Sequence, residues 1–222
     1  MSNFFTSSIG KKFIMSVTGI FLMLFLIVHL TVNSLLMVGS DTFNEAAHFM
    51  VTNPFIRVVE PLLALGFIIH IIYSGYITLK NQNNRPIKFK KLNRQGSSTW
   101  MSRNMFILGG LILVFLVIHL INFYWKVRFG EIGTTTVDGV EMENVYGLVS
   151  SLFIKWWWYD LIYVLGAVFL GLHLSHGFWS AFQTLGWENE TWIIRLKWIG
   201  YVFSVIIAAG FASIPLYFLI NF

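Results

Sequence analysis

The stretch FIMSVTGIFLMLFLIVHLTVNSLLMV, residues 13–38, is long enough to cross a bilayer and contains one ionisable side chain, His29. A membrane-spanning helix needs about 20 consecutive apolar residues. Four further stretches meet that requirement, at approximately 55–80, 103–127, 156–182 and 195–220. With 56% hydrophobic and 11% charged residues in 222 and a mean hydropathy of +0.70, the chain reads as an all-α integral membrane protein. The expected architecture is one domain, 1–222, in which four helices form a bundle and the fifth, 195–220, lies beside it. Lys11 and Lys12 precede the first span, but no small-residue cleavage site comes after it, so that span is expected to be retained.

Charge placement predicts the topology. With the N-terminus inside, the inner segments hold eleven of the fifteen Lys and Arg residues against Glu188 and Glu190. The outer segments hold Arg57, Lys126, Arg128 and Lys155 against eight acids. The positive-inside rule then places the N-terminus in the cytoplasm and the C-terminus outside. The net charge of +5 tracks the loops and forms no basic groove, so nucleic acid is not expected as a partner. The basic loop 81–102, containing NQNNRPIKFKKLNRQGSSTW, suits anionic lipid headgroups or a soluble partner. The outer loop 128–147 contains GTTTVDG and reads as a hairpin.

Four histidines lie deep in four different apolar stretches. His29 stands 16 residues beyond Phe13 and His119 stands 16 beyond Arg103, so both lie ~24 Å from the inner ends of their helices. His70 precedes Lys80 by 10 residues and His173 precedes Gln183 by 10, so both lie ~15 Å from that side. An intramembrane ionisable group is costly unless partnered. Two depth-matched pairs predict two bis-histidine haems, with His29, His70, His119 and His173 as axial ligands of the iron. Gly19, Gly66, Gly109, Gly166 and Gly171 offer room for a macrocycle or for a neighbouring helix. His176 shares a helix face with His173, and depth matching assigns the iron to His173, leaving His176 as a hydrogen-bond donor or alternative ligand. His48 has no partner at matching depth and reads as interfacial. The absence of cysteine excludes thiolate-held clusters, covalent c-type haem and disulfides within this sequence.

Other readings of these residues are open to test. A histidine-relay proton transporter would have broken helices or inverted repeats, which the sequence does not display. A retinal protein would need a lysine in mid-helix, and none is present.

The segments FLIVHLTVNSLL, FNEAAHFMVTNPF, HIIYSGYITLKNQN and GLHLSHGFWSAFQTLGW, with the histidine order, resemble the dihaem cytochrome b anchor of succinate:quinone oxidoreductases in its single-subunit, five-helix form. The similarity spans nearly the whole chain. It implies that His29 and His119 hold a distal haem b near the outer face, and that His70 and His173 hold a proximal haem b near the cytoplasm. In that family the ligand lies thirteen residues before the glycine of the closing Gly–Trp segment, which selects His173 before Gly186. The resemblance also implies a bacterial cytoplasmic membrane location, a flavoprotein carrying FAD and an iron–sulfur subunit on the cytoplasmic side, and menaquinone as the quinone; the whole complex is a candidate dimer. A cytochrome b anchor of another quinone-linked respiratory enzyme is the alternative. Some members carry a glutamate two residues before the proximal ligand, linked to transmembrane proton transfer in fumarate reduction. Gly171 stands there in this chain, which points toward succinate oxidation.

Quinone reduction consumes protons and needs an acid near a haem. Glu60, with Arg57 close by, and Asp160 lie nearest the level of His29 and His119, with Trp158 or Tyr159 as candidate ring contacts. Lys126, Arg128 and Lys155 are candidates for the distal haem carboxylates, and Arg103 for the proximal ones.

Overall fold

A computed structural model describes residues 7–84, 99–187 and 189–222. Most of the basic loop 81–102, including Arg85, Lys88, Lys90, Lys91 and Arg94, lies outside the described residues, as does Glu188. The elements run α1 (Ser8–Ser34), α2 (Ser40–Thr52), α3 (Pro54–Asn83), α4 (Trp100–Phe129), β1 (Thr134–Val137), β2 (Val140–Glu143), α5 (Val145–Lys155), α6 (Trp157–Thr184) and α7 (Glu190–Asn221). Helices α1, α3, α4, α6 and α7 are each long and apolar enough to cross a membrane.

Polar residues set where these helices begin. Ser7 Oγ accepts from Gly10 N at 3.0 Å, Thr99 Oγ1 from Ser102 N at 3.1 Å and Asn189 Oδ1 from Trp192 N at 2.8 Å. Asn53 caps α3, with Pro54 in the first turn where its missing N–H costs nothing. Several helices therefore start earlier than hydropathy suggests, because a polar cap and an amphipathic first turn extend each apolar run. Helix α6 ends in a Schellman stop: Gly186 has φ +95°, Trp187 N donates to Phe182 O at 3.2 Å, and Gly186 N donates to Gln183 O at 3.0 Å. The Phe182 and Trp187 rings close it at 5.5 Å. The closing Gly–Trp segment is thus a helix terminator.

The excursion over 128–147 contains a hairpin. Asp138 and Gly139 both have positive φ, as a type I′ turn requires, and Val137 pairs with Val140. Two short helices that hydropathy did not separate, α2 and α5, flank it. Asn44 is 1% exposed; its Oδ1 accepts from Tyr146 N at 2.8 Å and its Nδ2 donates to Asn144 Oδ1 at 3.4 Å, fastening α2 to the start of α5.

Hydrocarbon offers little hydrophobic drive between helices, so close packing of small residues must hold them together. Helix α6 supplies most of it. A Cβ on Gly166 would stand 2.5 Å from Phe115 of α4, and one on Gly171 would stand 2.7 Å from Ala208 of α7. Gly200 of α7 in turn admits Phe178 of α6. One apolar core gathers Leu36, Phe43, Phe153, Tyr163 and Phe218 on the hairpin side; a second gathers Met23, Leu174, Ala181 and Ile207 towards the other. The histidine-free α7 contributes to both and also reaches the histidines, since Phe211 lies 5.7 Å from His29. It is a wall of the site as well as a neighbour of the bundle.

Gly171 has no room for a side chain, because a Cβ there would stand 3.3 Å from Ser204 O as well as against Ala208. Gly171→Glu is expected to destabilise the protein by at least ~1–3 kcal/mol through overpacking, read as a lowered thermal midpoint in detergent, with Gly171→Ala at the mild end. A wild-type midpoint for the glutamate variant would refute this packing.

Candidate functional site

Helices α1 and α4 meet at His29 and His119, whose ring centroids are 5.6 Å apart with planes crossing at 86°. Aromatic rings enclose the pair. Phe25 stacks on His29 at 5.0 Å, while Phe115, Phe123 and Tyr163 surround His119 at 6.0, 5.4 and 6.1 Å. Immediately after His119, α4 passes through a π turn, Leu120–Tyr124. The extra residue in such a turn rotates the side chains beyond it about the helix axis. Here Asn122 is buried within it, and its Nδ2 donates to Tyr163 Oη at 3.2 Å.

Helices α3 and α6 contribute the second pair. His70 and His173 have ring centroids 6.5 Å apart and planes crossing at 71°. Helix α1 passes close to His70: a Cβ on Gly19 would lie 3.4 Å from His70 Cε1, and Thr18 Oγ1 lies 3.4 Å from His70 Nδ1. Helix α4 passes His173 in the same way, with a Cβ on Gly109 3.8 Å from His173 Cε1. His176 faces elsewhere, its ring edge-on to Trp179 at 4.8 Å, with Lys197 Nζ 5.0 Å from the Trp179 ring centroid.

These contacts measure the separation of the two pairs. Gly19 is ten residues before His29 on α1, and Gly109 is ten before His119 on α4, so each helix gives a separation of ~15 Å. Counting depth from the hydropathy boundaries suggests only ~9 Å. Starts at Ser8 and Trp100 deepen His29 and His119 more than ends at Asn83 and Thr184 deepen His70 and His173, which raises that count to ~12 Å and accounts for about half of the difference. Gly19 and Gly109, although on the helices of His29 and His119, therefore face His70 and His173.

The residues fit a haem held from both faces. With iron–nitrogen bonds of ~2 Å, two imidazoles in line have ring centroids ~6 Å apart, close to both observed spacings. The Nδ1 atoms of His119, His173 and His176 are buried without a hydrogen-bond partner. Among the described residues no cluster of three or more His, Asp or Glu side chains could hold a metal ion. Paired imidazoles suffice only for a metal that brings its other ligands with it, as haem iron does.

The two candidate acids occupy different environments. Glu60 of α3 accepts from Tyr124 Oη at 2.8 Å and from Arg128 Nε at 3.2 Å, and its second oxygen pairs with Arg128 Nη2. Its partner is Arg128 on α4, whereas Arg57 donates to Val51 O at 3.0 Å. Thus Glu60 ties α3 to α4, and Arg128 is engaged there. Asp160, in the first turn of α6, is 1% exposed, and neither carboxylate oxygen has a hydrogen-bond partner. It lies one turn from Tyr163. Trp158 and Tyr159 stack on each other at 4.1 Å, and Lys155 Nζ lies 5.3 Å from the Trp156 ring centroid. His48 lines a cavity with Thr134, Glu141 and Glu143; Ala47, Val51 and Val145 separate it from a second cavity lined by His29.

Sequence reading passed over Thr18, Asn122, Tyr163 and Phe211. Thr18 was within reach of it, being eleven residues, or three turns, before His29 and therefore on the same face of α1. Asn122 depends on the π turn, for which the sequence carries no evident signal.

No protein-family model matches the chain, and no solved structure matches it significantly. The protein of Bacillus subtilis (strain 168) named succinate dehydrogenase cytochrome b558 subunit is 29% identical over 168 residues, covering 73% of this chain and 72% of that protein. With five membrane-length helices, the chain is an all-α integral membrane protein, and over most of its length it is similar to the succinate dehydrogenase cytochrome b558 subunit.

Proposed function

We propose that the chain is the membrane anchor and electron-transfer subunit of a succinate:quinone oxidoreductase, working in the succinate-oxidising direction. The pairing of His29 with His119 and of His70 with His173, in two layers ~15 Å apart, carries this reading. When bound, two haems b would relay single electrons between a cytoplasmic iron–sulfur partner and menaquinone. His70 and His173 hold the proximal group, nearer the basic loop side; His29 and His119 hold the distal one. The phenylalanines around His29 and His119 give the distal ligands apolar neighbours. The dicarboxylate chemistry belongs to a flavoprotein subunit that docks with the iron–sulfur partner.

The N-terminus is assigned to the cytoplasm of a bacterial cell, which puts the hairpin, α2 and α5 outside. A reporter fused after Phe222 is expected to be active outside the membrane and one inserted in the loop 81–102 inside; the reverse pattern would overturn this orientation.

Asp160 is the group assigned to proton delivery at a distal quinone site. A buried carboxylate without a partner is costly to maintain and calls for an explanation. It lies one turn outward from Tyr163, whose ring packs on His119. Glu60 already accepts from three donor atoms and serves as a tie between helices. In the assembled complex, Asp160→Asn is expected to lower quinone reduction by about tenfold or more with both haems retained, within the usual range for a lost acid–base group. Glu60→Gln is expected to leave turnover within about threefold while lowering the thermal midpoint, the loss of one ion pair being a small energetic change. Wild-type turnover for the Asp160 variant would remove it from this role.

The first experiment is a pyridine haemochrome assay on the purified complex, scaled to this subunit, with a difference spectrum after succinate is added. Two b haems per chain, at least partly reduced by succinate, are expected. His29→Ala or His119→Ala should lose the distal haem and His70→Ala or His173→Ala the proximal one. A wild-type complex without haem would reject the function proposed, and loss of a haem in His176→Ala but not His173→Ala would reassign that ligand.

A further inference from the structure

The contact between α1 and His70 differs in kind from the contact between α4 and His173. At Gly19 the missing side chain lets α1 approach His70, bringing Thr18 Oγ1 to 3.4 Å from His70 Nδ1. The Thr18 proton is directed back along its own helix, with Oγ1 2.9 Å from Ile14 O and 3.0 Å from Met15 O. A hydroxyl that donates to a carbonyl presents only a lone pair to its other neighbour. With Nδ1 facing Thr18, Nε2 is the nitrogen left for iron, and an imidazole bound through Nε2 keeps its proton on Nδ1. That proton has an acceptor waiting. On the other side of the pair, Gly109 leaves similar space beside His173, but the residue before it is Leu108, and His173 Nδ1 is buried without a partner.

We propose that Thr18 is a positioning residue of the proximal site, accepting the His70 Nδ1 proton and thereby orienting the ring and strengthening its donation to iron. This rests on the haem reading above. Outer hydrogen bonds of this kind fix the tautomer of a ligating histidine and raise its basicity. A more basic ligand favours the ferric over the ferrous state, so Thr18 holds the proximal midpoint potential below the value it would have without the hydroxyl.

The test is a potentiometric titration of the haem spectrum in the purified complex for Thr18→Val, Thr18→Ala and Thr18→Ser. Thr18→Val keeps the side-chain shape and removes the acceptor, and Thr18→Ala serves if the valine variant does not assemble. The expected result is two retained haems, with the component missing from His70→Ala shifted to higher potential, the other component unmoved, and Thr18→Ser close to wild type. Unshifted potentials in Thr18→Val or Thr18→Ala would overturn the proposal, as would a shift in Thr18→Ser as large as that in Thr18→Val. A wild-type complex without haem would instead sink the parent reading, so the two failures are distinguishable.

Discussion

An unpartnered imidazole is costly in hydrocarbon, and this protein brings four of its histidines together as two pairs across helices. His29 on α1 faces His119 on α4, and His70 on α3 faces His173 on α6. Each pairing constrains the depth and rotation of two helices at once. Because Gly19 of α1 and Gly109 of α4 also touch the second pair, the same two helices are located at two levels ~15 Å apart. The bundle is therefore registered by its polar residues, while small residues let the helices close around them.

The support for that register is unevenly distributed. Helix α6 carries Gly166 against Phe115 and Gly171 against Ala208, so it packs on α4 through one glycine and on α7 through the other. Helix α7 brings no histidine, yet Phe211 lies against His29 and Phe218 is fully buried in the hairpin-side core. By contrast, α3 has only Gly66 buried and relies on discrete ties: the Glu60 link to Arg128 and Tyr124, and the contact of Lys11 Nζ with Tyr76 Oη at 3.2 Å.

On the hairpin side, polar groups cluster beyond the His29–His119 pair. Asn122 is turned inward by the π turn and bonds to Tyr163, which packs on His119; Asp160 is buried one turn further out. On the other side the comparable polar contact is that of Thr18 on α1 with His70 on α3. The two histidine layers therefore differ less in their ligands than in what surrounds them, and surroundings of this kind are one means by which a protein tunes two chemically similar centres.

The sequence by itself determined the five long apolar helices, the hairpin at Asp138–Gly139 and which of His29, His70, His119 and His173 face each other. These features arise from run length, turn chemistry and the fixed rise of an α-helix, all of which are local. Helix ends were less legible, because Ser7, Thr99 and Asn189 extend the helices beyond their apolar cores. Only the tertiary structure decided that Glu60 pairs with Arg128, that Asp160 has no partner, that Gly19 faces His70 and that Phe211 covers His29. Each of these depends on how one helix is rotated against another, and that rotation is set by packing between residues far apart in the chain, which a hydropathy pattern does not record.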